Sequence, residues 1–130
     1  MTKQEKLDWL NSRGGYNAHN GIVITDIEDD SCVVETELRP EALNPLGMAH
    51  GGLVFSLCDV AAGVLVAQTG QKGVTTSSSM SYLHPSYGSR LRAEGKVLKS
   101  GRTITVIEAS VYDERGVLTA RGTFELCKLK

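Results

Sequence analysis

Apolar positions in this chain fall into one long dense run and several short alternating ones. The long run covers residues 53–67, where Leu53, Val54, Phe55, Leu57, Val60, Val64, Leu65 and Val66 crowd together without a proline. Its length favours a helix over a strand. Apolar side chains recur on nearly every side of that helix, which predicts burial all round, at the centre of the domain. Before it, residues 22–27 and 32–38 carry β-branched side chains in partial alternation, separated by Glu28-Asp29-Asp30-Ser31. They read as a hairpin, ended by Arg39-Pro40. After it, strand-like runs cover residues 74–83, 91–98, 103–112 and 117–126. Their separators are His84-Pro85-Ser86-Tyr87-Gly88, Lys99-Ser100-Gly101-Arg102 and Asp113-Glu114-Arg115-Gly116. Each holds the glycine that a tight reversal needs, so the runs are expected to pair as consecutive hairpins in an antiparallel meander. Residues 3–13 mix Leu7, Trp9 and Leu10 with charges and read as a short amphipathic helix, stopped by Gly14-Gly15 and packing as a lid or flap. The whole is an α+β chain whose antiparallel sheet has to curl around a long central helix.

Length makes this a single domain over residues 1–130, with residues 1–14 as its flap, because a chain of this size fills one core. A net charge of −1 supplies no basic field for a polyanion, which argues against nucleic acid as a partner. Cys32, Cys58 and Cys127 are odd in number and scattered, so neither a disulfide framework nor a zinc site is suggested and a reducing cytoplasm is the expected home. The charged start and the lack of an uninterrupted apolar run of about 18 residues predict a soluble protein with no signal peptide and no membrane span. His19, His50 and His84 lie far apart, leaving no local support for a metal centre, and no cofactor is called for.

Chemistry concentrates where the long helix begins. A helix N-terminus presents unpaired backbone N–H groups, and Gly51-Gly52 leaves that end open to a substrate oxygen, an oxyanion hole in outline. Thioester cleavage builds negative charge on the carbonyl oxygen, which such donors stabilise. Asp59 is the one ionisable side chain between His50 and Lys72. A carboxylate placed among Leu57, Cys58, Val60 and Ala61 must find donors or shift its pKa upward, and such groups cluster at active sites. A serine of Ser77-Ser78-Ser79 is one structural partner for it. Gly51 and Asp59 are eight residues apart, roughly 12 Å along one helix, too far to act on one carbonyl from one chain. If both belong to one site, a symmetric dimer with two composite sites is required.

The segment Asn44-Pro45-Leu46-Gly47-Met48-Ala49-His50-Gly51-Gly52, with Asp59 behind it, resembles the signature of hotdog-fold thioesterases of the phenylacetic-acid-degradation (PaaI-like) type, within the 4-hydroxybenzoyl-CoA thioesterase superfamily. The resemblance runs from about residue 15 to 127. It includes Gly73-Val74-Thr75, Met80-Ser81-Tyr82-Leu83 and the turn Leu98-Lys99-Ser100-Gly101-Arg102-Thr103. It implies a hotdog fold and hydrolysis of a medium-chain or aromatic acyl-CoA. In that scheme the Gly51 N–H polarises the thioester carbonyl, His50 and Asn44 orient the loop or assist, and the neighbouring subunit's acid at position 59 attacks directly or activates water. The helper hydroxyl that some relatives carry one turn after the acid is replaced here by Gly63. Thr75, or its neighbour Ser77, is the expected substitute. Gly52 joins these as a substrate-binding position, and Arg102 is placed to meet a CoA phosphate. Family resemblance also implies that dimers pair into a homotetramer.

Two other classes compete. Hydratases and dehydratases on the same fold pair a histidine with an acid at a different spacing, which this chain lacks. A non-catalytic acyl-CoA sensor would need an output module, and no DNA-binding segment is left over. The serine run has no nucleophile-elbow glycine frame, which argues against a serine hydrolase.

Overall fold

A computed structural model describes residues 1–130. The elements in chain order are α1 (Lys3–Asn11), a single turn α2 (Tyr16–His19), β1 (Val23–Ile27), β2 (Ser31–Glu37), a 3-10 turn (Pro40–Ala42), α3 (Gly51–Ala67), β3 (Gly73–Tyr82), β4 (Arg90–Ser100), β5 (Ile104–Asp113) and β6 (Leu118–Lys128). Thr2 caps α1 in a capping box with Glu5, and the helix stops at Ser12, short of the glycine pair. Its Leu7 and Leu10 are buried against the sheet, while Trp9 is exposed with Arg13 stacked over its ring.

The strands form one antiparallel sheet in the order β1-β2-β4-β5-β6-β3, curled around α3. This is the hotdog arrangement. Its core joins Leu57, Cys58, Ala61 and Ala62 of the helix to Val34, Leu91, Ile107, Val111 and Phe124 of the sheet. The helix packs close to the sheet at Gly95, where a Cβ would come within 3.2 Å of the Ala61 methyl and 3.0 Å of Cys32 Sγ on β2. No helix is long and apolar enough to cross a membrane.

Two expectations fail. The meander holds for β4-β5-β6, but β3 pairs with β6 and not with β4. Residues 83–89 are too long to enforce a hairpin, and the N–H groups of Leu83 and His84 both donate to Thr119 O, steering the chain across the sheet end. The Thr- and Ser-rich β3 also has too few apolar side chains to sit between two strands, and it takes the edge. The central helix, in turn, is not buried all round. Six strands cover one side, and Ser56, Asp59, Val60, Gly63 and Ala67 form a half-buried stripe on the other.

β3 contains a bulge. Thr75 faces Leu126 and Ser77 faces Glu125, leaving Thr76 as the extra residue. Leu126 is buried and Glu125 exposed, so Thr75 points to the helix side and Ser77 to the outer side. Beyond the bulge, Ser78, Met80 and Tyr82 oppose Phe124, Gly122 and Ala120 and share the inner face.

Candidate active site

The approach to α3 is a loop held by its own backbone and by one side chain. Asn44 Oδ1 accepts the N–H groups of Leu46 at 2.9 Å and Met48 at 3.2 Å, and the Asn44 N–H donates to Met48 O at 2.8 Å. The reversal needs Gly47 at φ 82°, a conformation that costs glycine little. The Ala49 N–H then donates to Ser86 O, and the His50 N–H to Ala42 O, both at 2.9 Å. The loop therefore delivers the helix start in one fixed position.

His50 is the N-cap of α3, and its Nδ1 accepts the Gly52 N–H at 2.8 Å. That bond requires Nδ1 to be unprotonated, so the neutral ring carries its proton on Nε2. A Cβ on Gly52 would lie 3.0 Å from Nδ1, which explains glycine there. The Leu53 and Val54 N–H groups both go to His50 O. The Gly51 N–H alone donates to no group of the chain, at the positive end of the helix. Of the two glycines, Gly51, the expected donor, keeps a free N–H, while the N–H of Gly52, expected to bind substrate, is taken by the cap.

The donor faces a groove of ≈ 320 Å³ lined by Asn44, Met48, Gly51, Val54, Tyr82 and His84, among others. Tyr82 Oη donates to Gly51 O at 3.1 Å, and burial raises its pKa. Neither Tyr82 nor His84 is given a role in the site by the sequence reading. Residue alternation counted outward from Thr75 finds Tyr82 only if the bulge is known. On the far side of His50 a second cavity of ≈ 350 Å³ is lined by Tyr16, His19, Arg39, His50, Gly52 and Leu53, among others. Tyr16 Oη and Ser56 Oγ lie 2.7 Å apart, and Ser56 Oγ donates to Gly52 O, so the segment after α1 touches the helix beside the cap.

Asp59 lies on the half-buried stripe of the same helix, roughly 12 Å from Gly51 by helical rise. Its partner is Thr75, whose Oγ1 donates to Asp59 Oδ1 at 2.7 Å. Ser77 is not brought to the acid. It lies on the outer face with its Oγ 3.4 Å from Glu125 Oε2. Within one chain, then, the structure groups Asn44, His50, Gly51 and Gly52 at one place and Asp59 with Thr75 at another. Arg102 stands apart from both, exposed in the β4–β5 turn and without an ion pair. Cys58, beside the acid, is fully buried, and burial pushes its thiol up to about 12, so it supplies no thiolate nucleophile near neutral pH.

The chain as a whole is similar to known proteins. The proofreading thioesterase EntH of Klebsiella pneumoniae is 31% identical over 102 residues, covering 76% of this chain and 74% of that protein. The Streptococcus mutans protein smu.793, solved bound to acetyl CoA, is 31% identical with a TM-score of 0.78, over 83% of this chain and 88% of that one. The Escherichia coli PaaI protein shares the fold at a TM-score of 0.91 and 20% identity, over 98% and 93% of the two chains. A family model for the thioesterase superfamily matches residues 46–120, the stretch that carries His50, Gly51, Asp59, Thr75 and Tyr82. The chain belongs to the hotdog thioesterase superfamily, as a thioester hydrolase.

Proposed function

We propose that this thioesterase hydrolyses acyl-CoA carrying a medium-chain or aromatic, phenylacetyl-like acyl group to the free acid and CoA, at composite sites between two copies of the chain. One observation carries the reading. On α3 the one free backbone donor, Gly51 N–H, and the one acid, Asp59, lie too far apart to meet. A second copy cures that separation. Gly51 of one copy polarises the thioester carbonyl, Asn44 and His50 hold that donor in place, Gly52 keeps the cap uncrowded, and Asp59 of the other copy faces the carbonyl carbon. Thr75 occupies Oδ1 of Asp59, which leaves Oδ2 to take a proton from water. The hydroxide oxygen adds to the carbonyl carbon, the C–S bond breaks, and the departing thiolate takes a proton to give CoA. Relatives bound to coenzyme A or acetyl CoA support a CoA ester as substrate. The homodimer is expected to pair further into a homotetramer. Three free thiols, two of them buried, fit a cytoplasmic location.

The test is thiol release from phenylacetyl-CoA and hexanoyl-CoA by the wild type and by Asp59→Asn. The variant should lose about 10²–10⁴ in kcat. Absence of thiol release by the wild type across a broad acyl panel, with binding intact, refutes the proposal. Single turnover in ¹⁸O-water separates the routes open to the acid. Label in the Asp59 peptide would mean direct attack through a mixed anhydride opened at the Asp59 carbonyl, and label only in the released acid would place the water's attack on the acyl carbon.

A further inference from the structure

We infer that Tyr16 and Ser56 are positioning residues of the thioesterase site: a one-way chain of hydrogen bonds starts at the Tyr16 phenol, passes through Ser56 and two peptide groups, and strengthens the Gly51 N–H as a donor. The inference rests on the reading of Gly51 as the group that polarises the thioester carbonyl, and adds what sets the strength of that donor.

The direction of the chain follows from counting protons. Ser56 Oγ donates its one proton to Gly52 O at 2.8 Å. None is left for Tyr16 Oη, 2.7 Å away, so in that pair the phenol donates and the serine accepts. The Gly52 carbonyl belongs to the same peptide group as the Leu53 N–H, which donates to His50 O at 2.9 Å. The His50 carbonyl in turn shares a peptide group with the Gly51 N–H, the donor left free. A group that accepts a hydrogen bond becomes a better donor, and bonds aligned in series reinforce one another. Every link here is aligned the same way, and the last donor in the series is the unspent one.

Of the two tyrosines at the helix start, only Tyr16 is connected to that donor. Tyr82 Oη donates to Gly51 O at 3.1 Å, but this carbonyl shares its peptide group with the Gly52 N–H, which His50 Nδ1 already takes. A bond made there tightens the histidine cap and leaves the Gly51 N–H as it was.

The local fold holds the phenol in place. Gly15 turns the chain at φ 73° and ψ −122°, a conformation open to glycine. Tyr16 follows as the first residue of α2, and its carbonyl accepts both the N–H of Asn20 at 3.0 Å and the Asn20 Nδ2 at 2.9 Å. Ser56 lies on α3 one turn beyond Gly52. A serine that bonds the carbonyl four residues back does not stabilise a helix, and alanine would suit the position better. The hydroxyl is thus a small local cost beside the donor it serves.

The experiment compares the full chain as wild type, Ser56→Ala, Ser56→Thr and Tyr16→Phe. In ligand-free ¹⁵N-labelled protein the Gly51 amide proton should move upfield in Ser56→Ala, move less in Tyr16→Phe, and stay near its wild-type position in Ser56→Thr, which keeps a hydroxyl. An oxyanion donor is worth about 10²–10³ in rate, and one bond in a series strengthens the next by about 10–30%. The kcat of Ser56→Ala on hexanoyl-CoA should therefore fall by about two- to fivefold, with KM unchanged and a smaller loss in Tyr16→Phe. Its Tm should not fall, because alanine favours the helix. A Gly51 amide proton unmoved in Ser56→Ala overturns the inference. So does an unchanged kcat, or a loss confined to KM, which would make the serine a substrate contact. If the wild type cleaves no CoA thioester, the acyl-CoA reading fails, and the amide shift still decides the chain.

Discussion

The two edges of this sheet are finished in opposite ways. At β1 the edge is closed by α1. Asn11 places its amide against the strand, accepting the Ile24 N–H and donating to Ile24 O, both at 2.9 Å, so one side chain takes the place of a neighbouring strand. Lys3 pairs with Asp26 and Glu28 along the same border, adding the charges that discourage pairing with another chain. At β3 nothing of the kind occurs. Ten residues, Gly73–Tyr82, run along the edge without one charged side chain, with most of them exposed and only α3, on the inner face, packed against them. The half-buried stripe of α3 lies beside this bare edge, and Asp59 is in it. Under the composite-site proposal, β3, an unprotected edge beside Asp59, is the seam at which the second copy is expected to join.

The comparison can be broken most severely at that seam. Ser77→Lys with Ser79→Lys places like charges on an uncharged edge and should halve the particle mass in light scattering, with kcat falling by about 10²–10⁴ as the acid is withdrawn from its site. A fully active monomer would refute the composite site. Next comes Gly51→Pro. Proline suits the first position of a helix, His50 already has the extended φ of −62° and ψ of 135° that a following proline requires, and a Cβ at residue 51 meets Tyr82 at an ordinary 3.7 Å. The substitution removes the donor and keeps the helix, so kcat should drop by about 10²–10³. Co-refolding this variant with Asp59→Asn should restore activity, because a mixed dimer contains one site with both groups intact. No recovery in verified mixed dimers would show that each chain works alone.

At the closed edge the effect should appear in stability alone. Asn11→Ala leaves the Ile24 N–H and C=O without that partner and should cost about 1–3 kcal/mol in denaturant unfolding, with kcat and particle mass unchanged. The smallest effect is expected away from both edges, at Asp113. Its carboxylate accepts from Arg115 Nε at 3.0 Å and Nη2 at 2.7 Å, and the Arg115 hydrogen bonds hold its pKa below the ordinary carboxylate range, helped by the backbone N–H groups of Val117 and Arg115. A depressed folded pKa means stability that is complete above the unfolded value, about pH 4, and is lost as pH falls through the folded one. The Tm gap between wild type and Asp113→Asn should therefore be constant from pH 7 to about pH 5 and close below about pH 4. A gap that persists in acid would show that the bond is not the source.

Much of this is legible in the residues because it is local. The run at 53–67 is long enough to be a helix whatever surrounds it, and the spacing of His50, Gly51 and Asp59 follows from helical rise alone. What is hidden depends on partners distant in sequence. Nothing near Asn11 marks it as a surrogate strand for Ile24, which lies thirteen residues on. The pairing of β3 with β6 brings Thr75 to Leu126, a choice made by the whole sheet and not by the loop at 83–89. Strict alternation groups Thr75 with Ser77 and so proposes both as neighbours of the acid, but only Thr75 reaches it. That the Gly52 N–H is taken and not free for substrate is equally invisible until the His50 ring is seen accepting it.

The bulge at Thr76 bears on more than local twist. Thr75 and Tyr82 are separated by an odd number of positions, and on an uninterrupted strand they would point to opposite sides. One surplus residue shifts the phase between them. The hydroxyl that steadies the acid and the phenol that touches the carbonyl of the donor residue therefore face the same side of one strand. A frame error in β3, by insertion or deletion on either side of position 76, would separate the acid's support from the donor's, even if every one of these residues were still present.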